Sequence, residues 1–238
     1  MQRYFVNLKN DNKFILSLDD TYHITKVMRM NIGDLIEVVC SEKVYITEIV
    51  ELKPNCIVEI KEEKIEYNEL DVKVCVCQSL VKESKMDLIL QKSTELGAYS
   101  FIPLKVKNSI IKGSESDFSK KVNRWQRIVK EASEQSKRNL IPLVYNVKTI
   151  KEIGDMDYDL KILCTVNELS TTLKNILQKR KNCGTMIIVV GPEGGFTSEE
   201  EQYLINKGFL STSLGNLVLR TETASLCCLS MINYEFER

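Results

Sequence analysis

A single histidine, His23, stands among 238 residues, and none of the eight cysteines forms a C-x-x-C pair. Together these absences argue against a His- or Cys-built metal cluster. Cys75 and Cys77 alternate within an apolar run, Cys227 and Cys228 are adjacent, and Cys40, Cys56, Cys164 and Cys183 are scattered. This placement reads as small buried hydrophobes in a reducing compartment, not as a disulfide framework. The longest aliphatic runs, such as Met186–Val190, are far too short to cross a bilayer. The N-terminal residues lack the apolar core of a signal peptide. No P-loop is present, since no Lys-Ser/Thr follows the glycine-rich stretch, and there is no G-x-G-x-x-G fingerprint. Internal repeats and low-complexity segments are also missing. The expectation is a cytoplasmic, metal-free protein without a membrane anchor.

What is present is unevenly distributed. The net charge is zero, yet residues 1–70 carry 9 basic and 13 acidic side chains, residues 71–150 carry 15 and 8, and residues 151–238 carry 9 and 12. The basic middle is a candidate footprint for a polyanion. The rhythm of the chain changes as well. Leu35–Val39, Val44–Val50 and Cys56–Ile60 are β-branched runs separated by turn signals, which suggests a small barrel. A short helix is expected from Asp20 to Met30, and the polar stretch Lys61–Glu69 reads as a boundary. Beyond it, strands at Val72–Cys77, Phe101–Leu104, Leu160–Val166 and Thr185–Val190 alternate with helices. The helices are expected over Lys85–Leu96, from a cap at Ser119, from a Thr197–Glu200 capping box, and over Thr221–Glu235. That alternation implies an α/β domain with a mostly parallel sheet.

Two strand-to-helix turns carry the chemistry. Gly191-Pro192-Glu193-Gly194-Gly195 follows the buried strand Thr185–Val190 and leads into the capping box. Ligands of open α/β sheets bind outside the carboxyl ends of strands, where glycines let a ligand approach the backbone. Taken alone, this turn is equally consistent with a tight connection that binds nothing. Leu214-Gly215 and Leu219-Arg220-Thr221-Glu222-Thr223-Ala224 form the second turn. Thr and Glu at a helix start serve as caps, but Arg220 opposes the helix dipole there and calls for an anionic or polar partner.

In combination the two turns resemble the signature of a family of bacterial RNA methyltransferases in the SPOUT superfamily, which methylates N3 of one uridine in 16S ribosomal RNA. The likeness extends through His23–Asp34, Gln91–Gly97, Arg124–Arg127, Glu134–Ser136 and Arg138-Asn139. The resemblance implies a PUA-like β-barrel over residues 1–68 and a SPOUT α/β domain with a trefoil knot over 69–238. It implies S-adenosylmethionine bound by Gly191, Pro192, Glu193, Gly194, Gly195, Leu214, Gly215, Leu219, Arg220, Thr221, Thr223 and Ala224. A homodimer acting on 16S rRNA of the small ribosomal subunit is implied too. Arg220, Glu222 and Glu193 are the candidate catalytic groups: a carboxylate to accept the N3 proton, a guanidinium to stabilise a uracil carbonyl. Structural roles for the same residues, with Glu193 ordering its loop and Arg220 pairing with Glu222, stay open. Lys26, Arg29, Lys82, Lys85, Lys92, Arg124, Arg127 and Arg138 are the RNA-facing candidates. The chain departs from the family pattern at Asn216-Leu217, at Asn108 where an arginine is usual, and at Lys137 where glycine is common. Another SPOUT enzyme, such as a ribose 2′-O-methyltransferase acting on transfer RNA, and a non-catalytic RNA-binding protein remain as alternatives.

Overall fold

The β-branched runs of the first seventy residues pair with one another in the computed structural model, which describes residues 1–109, 111, 113–180 and 183–236 and leaves the Glu115 side chain undescribed. The elements here are β1 (Arg3–Phe5), β2 (Lys13–Ile15), α1 (Leu18–Tyr22), β3 (Leu35–Cys40), β4 (Lys43–Glu51) and β5 (Ile57–Lys64). They make a five-stranded sheet in the order β1-β3-β4-β5-β2. The β1–β3 pair is parallel and the rest are antiparallel. Ser41 and Glu42, both at positive φ, close the β3–β4 hairpin in two residues, the twist that matches right-handed strands. Tyr4, Phe14, Ile24, Ile36, Val38, Ile49 and Val58 fill the core of this sheet.

Two expectations need correcting. The helix expected over Asp20–Met30 starts earlier and changes character. Ser17 caps α1 through the Asp20 N–H, and His23–Val27 winds as a π-helical turn that ends before Arg29, at φ 54°. The polar stretch from Lys61 is not a linker at its start, because β5 continues to Lys64 and pairs Glu62 and Glu63 with Ile46 and Tyr45. Backbone hydrogen bonds carry that end of the strand, and its side chains are mostly exposed. Composition cannot distinguish such a strand end from a loop.

The chain divides into two compact units, Met1–Glu69 with Ser133–Ile141, and Leu70–Ala132 with Pro142–Arg238. The late segment is stitched into the first unit by buried charge. Arg3 is fully buried and donates to Glu37 at 3.1 Å, to Glu66 at 2.6 Å, and to the carbonyls of Lys137 and Arg138 at 2.6 and 3.1 Å. Arg138 forks onto Glu69, with Nε 2.8 and 3.0 Å from the two carboxylate oxygens, and both side chains are nearly fully buried. Asn139 donates to the carbonyls of Glu42 and Glu66. Lys137 sits at φ 62°, which is why glycine suits this position, and its ammonium compensates by reaching Glu37 at 2.7 Å.

The second unit contains β6 (Lys73–Ser79), α2 (Glu83–Glu95), β7 (Ser100–Lys105), α3 (Glu115–Gln135, whose last residues pass into the first unit), β8 (Leu143–Val144), β9 (Lys148–Thr149) and α4 (Ile150–Gly154). It continues with β10 (Leu160–Cys164), α5 (Leu173–Lys179), β11 (Thr185–Val190), α6 (Ser198–Asn206), β12 (Leu210–Thr212) and α7 (Thr221–Phe236). The sheet order is β12-β10-β11-β6-β7-β8, with β9 also on β7, and every pair is parallel. Burial on both faces explains the unbroken apolar run Met186–Val190. Ser119 lies inside α3 and does not cap it. Ser114 does that work, accepting from the Asp117 N–H while the Asp117 carboxylate accepts from the Ser114 N–H at 3.1 Å. No helix among the described residues is long and apolar enough to cross a membrane.

Removing one partner of the Arg138–Glu69 pair strands a buried charge, so Glu69→Ala should lower unfolding stability by about 3–5 kcal/mol, read from urea titration. A pH dependence follows from Glu66. Burial pulls its pKa up, but hydrogen bonds from Lys64, Arg3 and Asn68 outweigh that and hold it at about 2, below the ordinary 4.5. A carboxyl depressed on folding stabilises above its ordinary value and loses that stabilisation as pH falls. Wild type should therefore lose stability between pH 4.5 and about 2 more steeply than Glu66→Gln; parallel curves would remove Glu66 from the account.

Candidate active site

Both glycine-bearing turns sit at carboxyl ends of parallel strands, the first directly after β11 and the second between β12 and α7. In the first, Gly195 adopts φ 64° and its N–H returns to the Pro192 carbonyl at 2.9 Å. A side chain at Gly191 would lie 3.1 Å from the Phe196 ring. Asn108 clamps the turn from outside, donating to the carbonyls of Gly194 and Gly195 at 3.1 and 3.2 Å. The residue that departs from the family pattern thus fastens this loop. The Thr197–Glu200 capping box is present at the start of α6, and Glu200 also accepts from the Lys107 N–H at 2.8 Å.

The second turn is joined to the first by one hydroxyl. Thr221 Oγ1 donates to the Gly191 carbonyl at 2.6 Å and accepts from Gln78 Nε2 at 2.9 Å. Ser225, one turn along α7, donates to Gln78 Oε1. Gln78, Thr221 and Ser225 are all buried. Gln78 and Ser225 escaped the sequence reading. The available signal was a glutamine closing the apolar run Val74–Cys77, where a buried polar side chain must find partners.

Above this network lie the charges. Lys85, on the first turn of α2, donates to Glu193 Oε1 at 2.9 Å and stands 3.2 Å from Glu222 Oε2. The second contact is an ion pair without hydrogen-bond alignment, and Glu222 Oε2 is buried with no hydrogen-bond partner. The Lys85 hydrogen bond lowers the Glu193 pKa, and the same bond raises that of Lys85. The alternative left open by the sequence, an Arg220–Glu222 pair, is not formed among the described residues. Arg220 is exposed, and its side chain makes no hydrogen bond or ion pair among the described residues. Lys85 neutralises the carboxylate instead, because its four-carbon stem delivers a point charge between the two turns.

Several backbone donors remain open. The N–H groups of Leu214, Asn216, Leu217, Val218 and Leu219 make no hydrogen bond within the chain among the described residues. Gly195 and Gly215, the latter at φ 129°, have no atom within 4 Å of where a side chain would begin. Unsatisfied amides beside unfilled space are what a backbone-held ligand requires. A separate cavity of about 540 Å³, lined by Lys105, Phe118, Asn146, Lys148 and Glu152 among others, includes no residue of either turn. Among the described residues no cluster of His, Cys, Asp and Glu is placed to hold a metal.

Residues 68–233 match the family model of the RNA methyltransferase domain. The chain is 36% identical to ribosomal RNA small subunit methyltransferase E of Bacillus subtilis (strain 168), covering 100% of this chain and 98% of that one. It is 33% identical to the protein of the same name from Mesomycoplasma hyopneumoniae (strain 232), over 97% and 98% of the two chains. The chain belongs to this RNA methyltransferase family. Its fold superimposes on the crystal structure of a ribosomal RNA small subunit methyltransferase E from Neisseria gonorrhoeae bound to S-adenosyl methionine, with a TM-score of 0.90, 29% identity, and 98% and 97% of the chains covered.

For a methyltransferase of this family, the basic residues sort into three groups. Arg138 is withdrawn as RNA-facing: it is 3% exposed and committed to Glu69. Lys85, Lys92 and Arg124 are held by carboxylates, Lys92 by Glu95 and Arg124 by Glu83 and Asp87. Lys26, Arg29, Lys82 and Arg127 are exposed and make no ion pair among the described residues.

Thr221→Val keeps the side-chain shape but takes the partner from one N–H of Gln78 and from the Gly191 carbonyl. Each buried orphan costs about 1–3 kcal/mol, so the variant should unfold at lower urea concentration. It should also bind S-adenosylhomocysteine more weakly by calorimetric titration. Wild-type values for both would dismiss the hydroxyl as the joint between the turns.

Proposed function

We propose that the chain transfers the methyl group of S-adenosylmethionine to N3 of a single uridine in 16S ribosomal RNA of the small subunit. The observation that carries this reading is the pair of turns locked by Thr221 on Gly191, with open amides on one side and a buried carboxylate, Glu222, on the other. Membership of the RNA methyltransferase family and likeness to a relative with S-adenosyl methionine bound support the choice of donor.

The residues present fit that donor. The amides of Leu214 and Asn216–Leu219 can hold its polar edges, and the positions beside Gly195 and Gly215 leave room for its body. Gly191, Pro192, Gly194, Thr223 and Ala224 complete the two turns. Bound there, the donor supplies an electrophilic methyl and a thioether leaving group. The protein's part is to align acceptor and methyl in line. The proton on N3 passes to a carboxylate of the Glu193–Glu222 pair, N3 forms the new bond to carbon, and the electrons of the S–C bond leave with sulfur. Arg220, unpaired and exposed at the start of α7, is placed to meet charge developing on a uracil carbonyl.

The same reading includes a PUA-like barrel in the N-terminal unit, a trefoil knot in the C-terminal one, and a cytoplasmic homodimer. Support for the knot is the path after β12, which pairs beside β10 before the chain returns to place Thr221 against Gly191. The dimer is supported by the exposed apolar side chains of Leu217, Val218 and Tyr234 on the second turn and α7. Lys26, Arg29, Lys82 and Arg127 are the proposed phosphate contacts.

Incubation with labelled S-adenosylmethionine and unmodified small subunits, followed by nucleoside mass spectrometry, tests the reaction. 3-Methyluridine at one site is expected; a methylated ribose would reassign the target atom. Replacing Arg29 and Arg127 with Ala should weaken RNA binding and flatten the log–log salt slope by about 0.7–0.9 for each phosphate no longer neutralised. An unchanged slope would remove these residues from the interface.

A further inference from the structure

We propose that Lys85 is a positioning residue that latches the first turn through Glu193 and leaves the Glu222 carboxylate as the group that accepts the N3 proton. This inference rests on the methyl-transfer reading above and assigns the two carboxylates different work. Residues from three separate stretches of the chain meet here: Lys85 on α2, Glu193 in the first turn and Glu222 on α7. One cation faces two carboxylates. Lys82 adds a weaker field at Glu193, Arg220 is exposed two residues before Glu222, and the nearby Gln78 and Ser225 are neutral.

The contacts are unequal. Glu193 Oε1 receives the aligned Lys85 hydrogen bond at 2.9 Å, and its side chain is the more exposed at 33%. Glu222 is 14% exposed, and its Oε2 has the Lys85 charge at 3.2 Å but no hydrogen bond. A carboxylate oxygen without a donor is costly to bury. Nearby positive charge makes it tolerable, and an incoming proton would satisfy it. With both carboxylates ionised the triad carries one net negative charge, and capture of the N3 proton on the Glu222 carboxylate returns it to neutrality. Glu193 gains less, because its oxygen is already occupied. Lys85 itself neither gives nor takes the N3 proton. It fixes the loop and places a positive charge beside the Glu222 carboxylate.

The test compares Lys85→Met, Lys85→Arg, Glu193→Gln and Glu222→Gln with wild type. Amide exchange in the free protein reads the latch without any donor: Lys85→Met should exchange about tenfold faster across Glu193–Gly195, as should Glu193→Gln. Single-turnover rates against pH read the proton acceptor. The acid limb should move up by about one pH unit, a tenfold loss on that limb, in Lys85→Met. It should return toward wild type in Lys85→Arg, stay in place in Glu193→Gln, and vanish with most of the rate in Glu222→Gln. Should Lys85→Met fail to fold, the arginine and Glu193→Gln variants still separate the two carboxylates. Wild-type exchange and an unmoved limb in Lys85→Met would overturn the assignment, as would a limb moved by Glu193→Gln but not by Glu222→Gln. A wild-type protein that binds no S-adenosylhomocysteine would instead sink the reading of the site itself.

Discussion

The Thr221 hydroxyl, giving its proton to the Gly191 carbonyl and taking one from Gln78, is the joint on which the C-terminal unit turns. Three stretches of chain converge on it, the outermost two separated by 143 residues. Remove that joint and nothing else among the described hydrogen bonds ties the start of α7 to the end of β11. The network is buried, so each member must be satisfied and the arrangement is nearly single-valued. The charged triad above it inherits that rigidity, since Glu193 and Glu222 each lie within two residues of it.

A division of labour follows. In the proposed function, backbone would carry ligand recognition through amides and glycine conformations, while side chains carry fastening and charge. Glycines and open amides offer a shape but no chemistry of their own, and the charged groups at the turns are few: Lys85, Glu193, Glu222 and Arg220. Asn108 illustrates the fastening. Where relatives of the resembled family tend to keep an arginine, this chain places a short amide that grips two carbonyls of the glycine turn.

Much of this was legible in the order of residues. The four central strands β6, β7, β10 and β11 announced themselves because burial on both faces demands unbroken apolar runs, and the α6 capping box because its two hydrogen bonds are local in sequence; the short strands β8, β9 and β12 gave no such signal. The two turns were found because glycine-rich stretches after strands are conspicuous. Long-range partnerships were not legible. Gln78 resembles any strand end until Thr221 is set beside it, and Lys85 resembles any exposed helix lysine until Glu193 and Glu222 close on it. Arg138 misled for the same reason, since an arginine bound for a buried carboxylate and one bound for phosphate are written with the same letter. The outer half of β5 failed differently. Its pairing lies in the backbone, and its side chains carry no periodic signal.

The return of Ser133–Ile141 to the first unit bears on how the protein is made. Arg3 and Glu69 precede Lys137 and Arg138 in the order of synthesis, yet the two carbonyls that Arg3 donates to and the guanidinium that holds Glu69 come from that later pair. Until those emerge, burying Glu69 would leave its charge uncompensated. Vectorial synthesis therefore holds this unit short of completion while β6, α2, β7 and most of α3 are being added. The first unit is finished only once Ser133–Ile141 have followed Met1–Glu69 out of the ribosome.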